Sequence, residues 1–176
     1  VYNFKDHEYY YLNPFFFSSD VWPPATQPID PPEAYLRPLA DLHGKTLCID
    51  WASVRDCPIW AYRPAVPSAL YGRIAGDVAV IHGGMNYQEI GFRAIPGFPP
   101  MWCLFDWDTA RIGPIYFDLA QVCYGMRKEI TDADLEWYAG EVRRLSGRSL
   151  SLERIRTGMD ICRGMLRARP PGAPLP

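Results

Sequence analysis

Four side chains able to give or take a proton fall in two short segments. His82 and Glu89 bracket the run His82-Gly83-Gly84-Met85-Asn86-Tyr87-Gln88-Glu89, and Asp106 and Asp108 stand in Phe105-Asp106-Trp107-Asp108. A carboxyl group whose pKa is raised by burial becomes a usable acid or base near neutrality. His82, Glu89, Asp106 and Asp108 are therefore the candidate catalytic residues. A carboxylate can also bind Mg²⁺, which makes Glu89 a candidate metal ligand. Asp106 is expected to end a buried strand, where an ionised group costs stability unless it is paired or metal-bound. Asn86, Tyr87, Trp107, Arg111 and Tyr116, polar or aromatic and close by in sequence, are the candidate substrate-binding residues. Plainer roles stand beside these: Trp107 and Tyr116 also read as wall or core, Asp108 as a turn cap, and Arg111 as an ion-pair partner of either carboxylate.

The segments around these residues must hold them in place. Asp77-Val78-Ala79-Val80-Ile81-His82 reads as a buried strand running into the first segment, and Met101-Trp102-Cys103-Leu104-Phe105-Asp106 reads as its partner strand. Gly91 to Pro100, rich in Pro and Gly, is the expected turn between them. Upstream, Leu36, Leu39, Ala40 and His43 show helical spacing over 33–43, with Pro38 kinking the early part. Three helices follow. The first, over 115–127, is apolar over much of its circumference at Leu119, Ala120, Val122, Cys123 and Met126, as a core helix is. The second opens at the N-cap Thr131 with Asp134 three residues on, presents Leu135, Tyr138, Val142 and Leu145 on one face, and stops at Gly147. Ser151 or Ser149 caps the third, whose apolar positions include Leu152, Ile155, Met159 and Cys162. His7 and His43 have no partner identifiable from the sequence.

The chain has 176 residues and a formal net charge of −2, enough for one domain with a single substantial core. That charge gives no polyanion-binding signature. The arginines Arg143, Arg144, Arg148, Arg154, Arg156, Arg163, Arg167 and Arg169 read as a solvated helical face, so no nucleic acid is expected as a partner. No apolar run approaches a membrane span, and the first residues lack the basic-then-apolar pattern of a secretory signal. Five cysteines, odd in number and without a C-x-x-C pair, argue against a disulfide framework or a structural zinc site. A reducing, intracellular (cytoplasmic) setting is expected. Residues 1–32 form an aromatic and Pro-rich leader with Tyr9-Tyr10-Tyr11 and Phe15-Phe16-Phe17. It either packs along the body of the domain or contacts a protein partner or a second copy of the chain. The Pro-rich tail 169–176 is expected to be disordered.

The segment from His82 to Glu89 resembles the catalytic loop H-G-D-x-x-x-x-N of the aminoglycoside phosphotransferase / choline kinase family. Phe105-Asp106-Trp107-Asp108 resembles the same family's metal-binding I-D-W-[DE] segment. Gly113-Pro114-Ile115-Tyr116-Phe117-Asp118-Leu119-Ala120 resembles the G-x-x-x-x-D-L-A helix start, and Leu39-Ala40-Asp41-Leu42-His43 the L-A-x-L-H helix before the loop. The resemblance covers roughly residues 33–168 and implies an α+β, mainly α fold: the C-terminal lobe of a protein-kinase-like phosphotransferase. It implies that Asp106 is an Mg²⁺ ligand, that Asp118 supports the loop backbone, and that His82 braces the loop. Two positions depart from the pattern. Gly84 replaces the Asp that acts as base, a loss worth on the order of 10²–10⁴ in rate, and Glu89 replaces the metal-binding Asn. The residues ahead of Leu39 hold no Gly-rich loop or V-A-I-K-like strand, so the N-terminal lobe is largely missing. The chain is accordingly expected to be a naturally truncated relative or one piece of a longer product.

Three functions of different class follow. The first is a degenerate family member without phosphoryl transfer, binding a small molecule or a protein in the old acceptor cleft. The second is a repurposed enzyme that uses the cleft carboxylates for cyclisation, isomerisation or dehydration of a hydrophobic metabolite. The third is an active small-molecule kinase with a substitute base such as Asp108, with ATP and Mg²⁺ as its cofactors.

Overall fold

The computed structural model describes residues 33–51, 72–86, 89–93, 101–104, 106–125 and 127–167. The aromatic leader, the Pro-rich tail, Tyr87 and Cys57 lie outside them. The described residues form an α+β, mainly helical body: α1 (Glu33–Thr46), β1 (Val78–Ile81), β2 (Ile90–Arg93), β3 (Met101–Leu104), a 3₁₀ turn (Trp107–Thr109), β4 (Arg111–Pro114), α2 (Tyr116–Gly125), α3 (Asp132–Ser146) and α4 (Leu152–Arg167). No helix among the described residues is long and apolar enough to cross a membrane.

The strand pairing departs from the sequence expectation. β1 pairs antiparallel with β4, Val78 opposite Pro114 and Ile81 opposite Arg111. The 101–104 strand pairs instead with β2, Ile90 opposite Leu104 and Arg93 opposite Met101. Gly91 to Arg93, the first part of the expected turn, is therefore strand. β3 also ends at Leu104, so Asp106 does not terminate a buried strand; it is exposed. The physical reason is local: Asp106 takes a left-handed conformation (φ 64°, ψ 67°) at the start of the 3₁₀ turn, which ladder pairing does not accommodate.

The helices follow their apolar stripes. In α3, Leu135, Tyr138 and Val142 are fully buried, as residues three and four apart on one face must be. A capping box closes its start: the Thr131 hydroxyl accepts from the Asp134 N–H while the Asp134 carboxylate accepts from the Thr131 N–H. Gly147, left-handed at φ 74°, ends it by donating its N–H to the Arg143 carbonyl. Ser151 opens α4, its hydroxyl accepting from the Arg154 N–H at 3.1 Å. α2 is buried continuously from Tyr116 to Val122, consistent with a helix apolar around most of its circumference. α1 packs on α3 and α2 on α4. The α2–α4 approach is so close that a Cβ on Gly158 would overlap the ring of Tyr116.

The resulting core gathers Tyr35, Leu36 and Leu39 of α1, Ala79 and Ile81 of β1, Phe117 and Leu119 of α2, Tyr138 of α3 and Ile155 and Met159 of α4. Each large side chain so buried contributes roughly 1.5–3 kcal/mol by leaving water. This core holds β1 and α2 as a rigid pair, and the segment after β1 leans on that pair. The described cysteines, Cys48, Cys103, Cys123 and Cys162, are free thiols.

Candidate functional site

The loop that leaves β1 has no regular structure, so its backbone groups need partners from elsewhere. Asp118, in the first turn of α2 and fully buried, supplies two. Its Oδ2 accepts the His82 N–H at 2.7 Å and its Oδ1 the Gly83 N–H at 2.8 Å. One helical turn on, Gln121 does the complementary work: its Oε1 accepts the Met85 N–H at 2.8 Å and its Nε2 donates to the Gly83 carbonyl at 2.7 Å. Gly83 sits at φ 81°, where an added Cβ would also run into the Thr109 carbonyl oxygen. Only glycine takes that conformation without strain. On the other side the Thr109 hydroxyl donates to the His82 carbonyl at 2.9 Å, tying the 3₁₀ turn to the loop.

Behind Asp118 lies His43 of α1, fully buried. Its Nε2 is 3.1 Å from Asp118 Oδ2 and its Nδ1 2.6 Å from the Tyr138 hydroxyl. A carboxylate only accepts, so Nε2 carries a proton and donates it to Asp118. Burial alone would raise the Asp118 pKa. The hydrogen bond and charge of His43, with His82 and the Gly83 N–H, outweigh it and hold the carboxyl below its ordinary value.

At the open end of the loop the Asn86 amide donates to the Gly84 carbonyl at 3.3 Å and to Glu89 Oε1 at 2.6 Å. Glu89 is 15% exposed, and its Oε2 lies 3.8 Å from His82 Nε2. Burial pushes its carboxyl up to about 7, with further push from the charges of Asp106 and Asp108, against the Asn86 hydrogen bond. Asp106 is exposed as a residue, but the partial desolvation its carboxyl still feels raises its pKa. The charge of Asp108 and a hydrogen bond with it act in the same direction, and His82 opposes them. The His82 and Trp107 rings meet edge to face, centroids 4.9 Å apart, and the Trp107 indole N–H donates to the Leu104 carbonyl at 3.2 Å.

Loop and turn thus bring His82, Asn86, Glu89, Asp106, Trp107 and Asp108 together. Gly84, where the resemblance puts a base, faces the same space: a Cβ there would stand 2.7 Å from Thr109 Oγ1 and 3.6 Å from Glu89 Oε2. Arg111 is buried beneath the turn; its Nε donates to the Thr109 carbonyl at 3.0 Å and its guanidinium packs on Gly83. Tyr116 is not in the cleft. It is fully buried, and its hydroxyl donates to Asp77 Oδ2. Asp77, itself buried, also receives Arg154 Nε and, at 3.4 Å, Arg148 Nη2. An aromatic at a helix start serves a wall or a core equally well by type, and here the partner Asp77 decides for the core.

Sequence reasoning left His43 without a partner and did not single out Asp77, Thr109 or Gln121. A polar residue on an otherwise apolar helix face was the available signal for His43 and Gln121, since buried polar groups need hydrogen bonds. Among the described residues no group of three or more His, Cys, Asp or Glu side chains is placed to hold a metal ion by itself. The sequence matches no protein-family model, and no curated protein matches it.

Proposed function

We propose that this chain is a degenerate relative of the aminoglycoside phosphotransferase / choline kinase C-terminal lobe, which binds a small molecule in the cleft between His82, Gly84, Asn86 and Glu89 on one side and residues 106–109 on the other without transferring phosphoryl groups. One observation carries this reading. The loop backbone is held by buried side chains at the His82, Gly83 and Met85 N–H groups and the Gly83 carbonyl, while Gly84 at its centre bears no group that can take a proton. Scaffold without base is the mark of a retained site with altered use. The support of loop N–H groups by Asp118 is the role the resemblance assigns to the Asp of the G-x-x-x-x-D-L-A helix start.

The cofactor question turns on Asp106 and Glu89. Mg²⁺ takes one or two carboxylates and completes its shell with water and phosphate oxygens, so these two residues are the ones that would hold it beside a bound nucleotide. The ion would there neutralise phosphate charge. Burial raises both carboxyl groups, and a neighbouring negative charge adds to it, Asp106 acting on Glu89 and Asp108 on Asp106; a cation would relieve that part.

A second reading, acid/base catalysis on a metabolite, is favoured by the Glu89 carboxyl at about 7. A group that titrates near the working pH is the most effective proton carrier. The test of cleft binding is a ligand screen by NMR on the full chain. Hits are expected to shift the amides of Gly84, Asn86, Glu89 and Asp108 together, and to weaken at least tenfold in Glu89→Gln. A screen whose hits all bypass these residues would contradict the proposal.

A further inference from the structure

α3 meets its surroundings on three sides. Leu135, Tyr138 and Val142 are buried in the core, and Trp137 lies under the Arg37 guanidinium of α1, 5.2 Å from the ring centre. Glu136, Ala139, Gly140 and Arg143 share the third side, as residues three, four and seven apart on a helix do. With Leu150 and Leu152 from the turn into α4 beside them, they line a groove of about 280 Å³.

Gly140 in the middle of this side has no packing role inside its own chain. A Cβ there would meet nothing within 4 Å, whereas one on Gly44 or Gly158 would run into Leu145 or Tyr116. Glycine weakens a helix interior relative to alanine. What it offers in return is close approach of another backbone.

The two charged side chains of the groove are unmatched as well. Nearby cations are engaged: Arg144 by Glu141, Arg148 and Arg154 by Asp77, and Arg156 by Asp132. Glu136 and Arg143 are exposed and have no ion-pair partner among the described residues. The helix itself supplies none. The positions three and four away from Glu136 are Asp132, Ala133, Ala139 and Gly140, and those from Arg143 are Ala139, Gly140, Ser146 and Gly147. Seven residues separate the two charges, about 10 Å along the axis and only about 20° around it, with Ala139-Gly140 midway.

We propose that this face is a two-fold interface between two copies of the chain, α3 packing antiparallel on its counterpart with Ala139-Gly140 at the crossing. The spacing is self-complementary. A two-fold axis through the midpoint sets Glu136 level with the partner's Arg143 and Arg143 level with the partner's Glu136, as an isologous contact requires. A parallel arrangement would set like charge on like charge. The small residues let the two backbones close, and Leu150 and Leu152 give the contact its apolar part. One helix and a short turn make a small interface, so the dimer is expected to be weak, populated at about 0.1–1 mM chain. The inference is independent of the reading of the cleft, since no cleft residue lines this groove.

The experiment is sedimentation equilibrium of the full chain from about 10 μM to about 1 mM, with charge-reversed variants. The parent chain is expected to dimerise reversibly. Glu136→Arg alone and Arg143→Glu alone each set like charges together twice, once on either side of the axis, and are expected to weaken self-association at least tenfold. An equimolar mixture of these two variants is expected to associate again as a heterodimer, which also reports that both are folded. Gly140→Leu, whose side chain has open space within its own chain, is expected to weaken the dimer at least tenfold without lowering Tm. A parent chain that stays monomeric throughout overturns the proposal, and so does a mixture that does not associate. A dimer that survives both single variants rests on another surface and overturns it equally.

Discussion

Replacing Glu89 by Gln is expected to stabilise the fold at neutral and alkaline pH, and to do nothing in mild acid. The carboxyl rises from 4.5 in an unfolded chain to about 7 in the native cleft, and each pH unit of that rise is worth about 1.4 kcal/mol. The native state therefore binds a proton that the unfolded state has already lost between these two values. Stability must fall as pH climbs through that window, by at most about 3.5 kcal/mol, and stay lowered above it. Gln carries no charge, keeps an oxygen to accept the Asn86 amide, and occupies nearly the same volume. Urea unfolding of both proteins from pH 4.5 to 8 reads the difference directly. The curves should meet near pH 4.5, separate progressively, and run parallel above pH 7, with the variant the more stable. A difference that does not change across this range, or a variant less stable at pH 8, refutes the placement of a repelled, half-buried carboxyl at this position.

Other perturbations test the scaffold. Asp118→Ala strands the His82 and Gly83 N–H groups and the His43 ring together, and should cost about 3–5 kcal/mol in denaturant unfolding, as removal of one partner from a buried network does. Because the Asp118 carboxyl is held low in the folded chain, its contribution is present above the ordinary carboxylate range and is lost as pH falls through its folded value; the variant's acid-unfolding profile should lack that step. Gly83→Ala forces an alanine to φ 81° against the Thr109 carbonyl and should destabilise by about 1–3 kcal/mol, with the amide shifts of Thr109 and Arg111 displaced. Gly158→Ala should lower stability by about 1–3 kcal/mol through overpacking on Tyr116, read as a fall in Tm.

What was legible in the sequence was local. The Thr131–Asp134 cap, the Gly147 stop and the buried face of α3 are set by residues within a few positions of one another, and the structure has them as the pattern implies. The strand partners were not legible. Four-residue strands carry little register information, and their pairing is fixed by helices packed on them from far along the chain. His43 shows the same limit: its partners Asp118 and Tyr138 lie 75 and 95 residues away, so its type signalled a buried polar contact without naming it. Asp106 was placed on the end of a strand because the run before it is apolar. The backbone turns left-handed at that residue, a change that no side-chain periodicity encodes. His82, Glu89, Asp106 and Asp108 were grouped from order and spacing, and the structure brings them near one another, Glu89 3.8 Å from His82 and within reach of the charges of Asp106 and Asp108; Tyr116, grouped with them, belongs to Asp77.

The most direct measurement is thermal unfolding of the chain with ATP and Mg²⁺, beside Asp106→Ala. ADP release is followed in the same samples with small hydroxyl acceptors added. A cleft that keeps the loop but has no base at Gly84 predicts no ADP release above background in either protein, whether or not Mg²⁺ and nucleotide raise Tm. ADP release by the parent chain that Asp106→Ala abolishes would contradict it, and would show phosphoryl transfer working around Gly84.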